Sequence, residues 1–241
     1  MPLLHHEIDS PSEFTPEALV SAVRAARGLS DVAVPSVCVL DFDCDLKDWL
    51  VREGRATPFE PWACFHTKLY LLEMERACYG IIPRTIGGPY AVLIAEQLHV
   101  SRARLILGLT SAGRVSPTLT LPSFVVVTNA VRDEGTSFHY LPPAEKVHCP
   151  TPITDLLVEE VGRLGSTVVG AVWRTDAPYR ETTAQLQRYA IDGVLAVEMQ
   201  AASLFAFAIA HKANVGLVAH VANAVDHQDE QFDKGTEEHG S

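Results

Sequence analysis

The sequence predicts an α/β fold in which a largely parallel, twisted sheet is covered by helices on both faces. The first observation behind this is alternation. Short runs of β-branched and apolar residues take turns with segments of helical period, from PSVCVLDF to VGLVAHVAN. The second is size: 241 residues, 47% of them hydrophobic, can bury a sizeable core and fit one compact domain, 1–241. The third is the lack of any internal repeat or low-complexity linker, with the polar tail HQDEQFDKGTEEHGS reading as frayed at its end.

Each element follows from local chemistry. Thr15, Pro16 and Glu17 supply an N-cap, a proline at the first helical position and an acid in the first turn; with Gly28 as a stop they predict a helix over 16–27. PSVCVLDF is a buried strand, and CFHTKLYLLEME and CYGIIPRT are two more joined by a tight connection. IGGPYAVLIAEQL then changes period, with a glycine pair, Pro89 at a helix start and apolar residues at 91, 92, 93, 94 and 98. RLILGL is a strand, TSAGR a loop, SFVVVTNAV a strand, ITDLLVEEVGRLG a helix and TVVGAVWR a strand. TAQLQRYAI is a helix, VLAVEM a strand, QAASLFAFAIAH a helix and VGLVAHVAN the last strand. In such sheets ligands bind beyond the carboxyl ends of strands, which directs attention to the segments after RLILGL, GAVWR, VLAVEM and VAHVAN.

Composition excludes several partner classes. A net charge of -11 opposes general affinity for nucleic acid or an anionic membrane. The apolar segments near 193–219 are broken by Glu198, Gln200, His211 and Lys212 and fall short of the roughly 20 residues of a membrane span. MPLLHHEIDSPSEF lacks the basic start and apolar stretch of an export signal, so a soluble, cytoplasmic protein is expected. Cys38, Cys44, Cys64, Cys78 and Cys149 form no CxxC pair or zinc pattern and read as reduced, ordinary thiols.

Several stretches carry candidate chemistry. The glycine pair of IGGP suits either a tight turn with close helix packing or a phosphate-binding loop. TSAG offers two hydroxyls and backbone NH groups that can hold an anion, or it is a plain turn. DEGTSFHYLPP contains Ser137, His139 and Tyr140, but without a GxSxG elbow it does not support a serine nucleophile. WRTDAPYRET places Tyr179 beside Asp176 and Arg180 after a buried strand. GVLAVEMQAASLFAFA sets Glu198 and Gln200 on either side of Met199 where a strand gives way to a helix.

The order TIGGP, LGLTSAGRV, RDEGTSFHY, TDAPYRE, VEMQAASLFA and VANAVDHQ resembles the nucleoside phosphorylase family of the purine and uridine phosphorylase type, which includes related nucleosidases. The resemblance implies a single domain around a mixed, partly barrel-like sheet, assembled as homodimers that associate into hexamers. It implies a nucleoside as the small-molecule partner, no tightly bound cofactor, no metal, inorganic phosphate as co-substrate, and a place in nucleotide salvage. It sets Met199 and Gln200 against the sugar with Glu198 alongside, Tyr179 toward the base with Trp173 nearby, Asp176 among the substrate-binding residues, and His5 or His6 at a neighbouring subunit's sugar. Thr110, Ser111 and Arg114 fall to phosphate and Asn223 to the leaving base, with Asp226 as the alternative register.

The departures from the family pattern are chemical. The family has a second acid where this chain has Gln200. Positive charge builds on the sugar as an N-glycosidic bond breaks, and one carboxylate at about 5 Å in an effective dielectric near 20 is worth about 3 kcal/mol, roughly a hundredfold in rate. Gln200 can still accept from one hydroxyl and donate to another. The amide of Asn223 can hydrogen-bond a base but cannot deliver a proton as a general acid. Two family arginines are missing, one of them replaced by Gly108, and Asp41, Asp43 and Asp45 line the first loop. These acids repel a dianion unless Arg84, Arg114 or a neighbour's arginine takes over, or they activate water, or they cap a turn. Phosphorolysis, hydrolysis and binding without turnover are the three readings that follow.

Overall fold

The computed structural model describes residues 2–75 and 77–224. Its elements, in chain order, begin with α1 (Pro16–Arg27), β1 (Val37–Asp41), α2 (Asp45–Arg52), β2 (Ala56–Pro58), β3 (Tyr70–Met74) and β4 (Ala77–Pro83). They continue with α3 (Gly88–Val100), β5 (Leu105–Arg114), β6 (Ser123–Asp133), β7 (Lys146–His148), α4 (Thr151–Val161) and β8 (Thr167–Thr175). The last are α5 (Thr183–Ile191), β9 (Val194–Glu198), α6 (Ala201–His211) and β10 (Val215–Ala224). The helix over 16–27 forms as its caps dictate: the Thr15 hydroxyl accepts from the Ala18 nitrogen, and Gly28 closes the helix at φ 64°.

One sheet holds every strand among the described residues, and part of it closes on itself. β5 pairs parallel with β10, β10 antiparallel with β6, β6 parallel with β8, β8 parallel with β9, and β9 antiparallel with β5. This ring is the barrel. β1, β4, β3 and β2 extend from the first half of β5 as an open wing, and β7 flanks β6. The sheet is thus mixed rather than largely parallel, as the family resemblance implied and strand–helix alternation alone did not.

The expected loop over TSAGR is a correction. Those residues are the second half of β5, with Thr110 through Arg114 opposite β10 and Gly113 and Arg114 opposite Val197 and Ala196 of β9. The β10 ladder runs along the whole segment and β9 joins at Gly113 and Arg114, so tertiary pairing overrides the local turn preference of its serine and glycine. A bulge between Val221 and Asn223 bends β10 alongside it, a device common where barrels close. The strand expected across CFHTKLYLLEME begins only at Tyr70, and α2, β2 and β7 were not expected at all.

Helices α3 and α6 pack on each other over the barrel. Residues 201–208 of α6 are buried on every side, and their alanines and Ser203 let α3 approach closely. At the contact is Gly88, the first residue of α3, where a Cβ would lie 2.1 Å from both the Arg174 Nη2 and the Ser203 Oγ. The glycine pair therefore serves close packing here, with Gly87 at φ 87° supplying the turn.

Candidate active site

The β9–α6 turn is built by Glu198. Its carboxylate accepts from the Gln200 nitrogen at 2.6 Å and from the Ala201 nitrogen at 3.0 and 3.1 Å, so both oxygens hold the first turn of α6. Burial pushes this carboxyl up to about 7, opposed by the same two NH groups and by the nearby Arg174. Glu198 thus faces the helix backbone. Gln200 is also buried, at 2% exposure. Its Oε1 accepts from the Met199 nitrogen at 3.1 Å and lies 3.4 Å from the Thr110 Oγ1. Residues ninety positions apart in sequence, expected for sugar and phosphate respectively, are in contact.

The far side of Thr110 is acidic. Asp43 Oδ2 accepts from the Ser111 nitrogen at 2.6 Å, and Asp41 accepts from the Lys47 nitrogen at 2.7 Å. The capping reading of these acids describes Asp41: it secures the start of α2, while burial, seconded by Asp43 and Asp45, raises its carboxyl to about 6. Asp43 does something further. It occupies the backbone NH that an anion at Ser111 would use. Two non-glycine residues with positive φ border this loop, Cys44 at 76° and Arg84 at 60°, and Arg84 reaches Asp48 at 3.7 Å with its side chain largely exposed. Arg114 is half-buried on β5 and makes no ion pair among the described residues.

A second polar cluster ties the remaining loops together. Arg174, fully buried at the end of β8, contacts Asp176 Oδ1 at 2.5 Å and Glu134 Oε2 at 3.5 Å. Glu134 also accepts from the Ser137 nitrogen and from the Ser203 hydroxyl at 2.8 Å. Asp176 accepts in addition from the Gly135 nitrogen at 2.9 Å, so its carboxylate straps the loop after β8 to the loop after β6. Ser137 receives the Arg132 Nε at 2.7 Å and is wholly buried, which fits its exclusion as a nucleophile. Arg174, Glu134 and Ser203 were not singled out from sequence. A lone arginine at the end of an apolar strand, TVVGAVWR, was the available signal.

The other expected residues are placed as follows. Tyr179 is fully exposed on the short 3-10 turn Pro178–Arg180. Trp173 is core: its Nε1 donates to Asp133 at 3.0 Å and its ring lies 4.7 Å from that of Tyr189. His6 packs on His139 of its own chain, ring centroids 3.9 Å apart, and burial together with His6 lowers the His139 pKa. His139, Tyr140 and Asp176 line a cavity of about 470 Å³ against Pro89 and Leu93 of α3. Asn223 is half-buried on β10 opposite Gly113, at the mouth end of the barrel strands. Asp226 lies outside the described residues. No group of three or more His, Cys, Asp or Glu side chains among the described residues suits a metal ion, and no described helix is long and apolar enough to cross a membrane.

Comparison with known proteins adds to this geometry. The family described as the phosphorylase superfamily matches residues 48–240. A uridine phosphorylase of Salmonella typhimurium is 26% identical over 164 residues, 62% of this chain and 65% of the relative. A guanosine phosphorylase of Halorubrum lacusprofundi is 32% identical over 128 residues, 51% of this chain and 52% of the relative. A uridine phosphorylase of Escherichia coli is 26% identical over 151 residues, covering 56% and 60%. The chain thus spans between 52% and 65% of the length of these curated relatives.

Proposed function

The chain belongs to the phosphorylase superfamily, and from that membership we propose that it cleaves the N-glycosidic bond of a nucleoside by phosphorolysis, releasing the base and a pentose 1-phosphate. One observation carries the reading: the meeting of Gln200 with Thr110. It sets the turn assigned to the sugar directly against the strand assigned to the nucleophile, as an attack on the anomeric carbon requires. Met199 and Gln200 then hold the pentose, and Thr110, Ser111 and Arg114 receive phosphate. Asn223 donates to the base as it takes up negative charge, which suits uracil or a 6-oxopurine such as guanine, the bases of the nucleosides for which the relatives are named. Tyr179, Asp176 and His6 complete the expected set, each needing a change of contact or a neighbouring subunit to reach substrate.

A second reading is hydrolysis, and a different observation favours it. Asp43 sits 2.6 Å from the Ser111 nitrogen, where it repels a phosphate dianion and can instead take a proton from water. A screen of nucleosides for base release, run with and without phosphate, separates the two. Pentose 1-phosphate that forms only with phosphate supports phosphorolysis; free pentose at an undiminished rate without phosphate supports hydrolysis. Absence of base release from every nucleoside overturns both.

A further inference from the structure

The contacts around Gln200 determine which way its amide faces. The Met199 N–H is a donor, so the atom 3.1 Å from it must be the amide oxygen. A flipped amide would set NH₂ against N–H. The Thr110 Oγ1 lies 3.4 Å from that oxygen. Both Glu198 oxygens are likewise taken by the Gln200 and Ala201 nitrogens. The Gln200 Nε2 has no hydrogen-bond partner among the described residues and is absent from their fully buried, unpaired atoms, so on a side chain only 2% exposed it is the amide atom left open to a ligand. The turn therefore offers two amide protons, beside a Thr110 oxygen whose own proton goes to the Ser111 carbonyl at 2.8 Å.

Resting on the reading that a pentose lies on this turn, we propose that the site selects 2′-deoxyribonucleosides over ribonucleosides, with Gln200 setting the preference. A ribose brings a vicinal diol, two hydroxyl protons that both need acceptors once water is excluded. The donor-rich turn accommodates one: the 3′ hydroxyl oxygen accepts from Nε2 and its proton goes to Thr110 Oγ1. The 2′ proton is left unpaired, and burying such a donor weakens binding by about tenfold or more. Removing the 2′ hydroxyl removes the mismatch.

The test compares matched pairs differing only at the 2′ carbon: deoxyuridine with uridine, deoxyguanosine with guanosine, deoxyinosine with inosine. Dissociation constants measured by calorimetry in phosphate-free buffer isolate hydrogen bonding from the greater intrinsic lability of deoxynucleosides; base release is measured in parallel. The deoxy member is expected to bind about tenfold or more tightly, and Gln200→Glu, which puts an acceptor oxygen in place of the Nε2 donor, is expected to move that ratio at least tenfold toward ribose. Equal or tighter binding of ribonucleosides by the wild-type chain overturns the proposal while base release keeps the proposed function standing. A ratio unmoved in folded Gln200→Glu also overturns it; if that variant does not fold, the wild-type ratio decides. Neither binding nor release from any pair overturns both.

Discussion

The Asp43 carboxylate lies 2.6 Å from the backbone nitrogen of Ser111, joining the loop after β1 to the second half of β5. A charge there opposes any dianion seeking the same NH. At a few ångströms and an effective dielectric near 20 the opposition amounts to about 4 kcal/mol per unit charge before screening. Asp43→Asn should therefore lower the KM for phosphate by about tenfold or more if phosphate is the nucleophile. If water is the nucleophile, the same variant should lose about a hundredfold or more in kcat with no response to phosphate. Phosphate titrations of wild type and variant read both outcomes, and unchanged kinetics in each would remove Asp43 from the site.

Two buried carboxyls make stability depend on pH in a defined direction. Burial raises Glu198 from 4.5 to about 7 and Asp41 from 3.8 to about 6. The folded chain thus holds more protons than the unfolded chain between those limits, and each group's contribution is complete below its unfolded pKa and lost as pH rises through its folded pKa. Each is worth on the order of 3 kcal/mol across its window. The difference in thermal midpoint between wild type and Glu198→Gln should shift steadily against the wild type from about pH 4.5 to 7, and that for Asp41→Asn from about pH 4 to 6. A flat difference curve for either variant contradicts the burial account of that residue.

How far the sequence revealed the site depends on which interactions are local. The Thr15–Pro16 start, the Gly28 stop and the β9–α6 turn are specified by neighbouring residues, and each forms where expected. The barrel is different. TSAGR reads as a loop because its small polar residues favour turns, and only β10 and β9, brought in from far along the chain, hold it as strand. The same holds for the site's charges. Asp43 meets Ser111 across 68 positions and Glu134 meets Ser203 across 69, contacts no spacing rule displays. The apolar run of α6 showed that it was buried, but not that α3 would lie against it through Gly88.

Arg174 should be a major determinant of stability in the loops around the site. Its guanidinium is fully buried between Glu134 and Asp176, with Nε and Nη2 unpaired among the described residues. Arg174→Met leaves Glu134 buried without its cation, which typically costs about 3–5 kcal/mol. Urea unfolding should show this loss, and the double variant Arg174→Met with Glu134→Gln should recover at least about 1 kcal/mol of it. Strict additivity of the two substitutions would mean that the pair at 3.5 Å is not energetically coupled.

The adjacent glycines Gly87 and Gly88 should respond to alanine for different reasons and by different amounts. A Cβ on Gly87 meets nothing within 4 Å, so Gly87→Ala acts only through its φ of 87°, a strain of about 1–2 kcal/mol. A Cβ on Gly88 would fall 2.1 Å from the Arg174 Nη2 and from the Ser203 Oγ, and 2.8 Å from the Ser203 Cβ. Helix α3 must then move off α6, or the buried Arg174 must leave its carboxylates. Either response exceeds ordinary overpacking of about 1–3 kcal/mol and reaches the Gln200 turn, one helical turn before Ser203. Gly88→Ala should be the more destabilising of the two in urea and should also weaken nucleoside binding. Adding Ser203→Ala to it should relieve part of the clash. If Gly87→Ala proved the worse variant, the close approach of α3 to Arg174 would not be the constraint that requires glycine here.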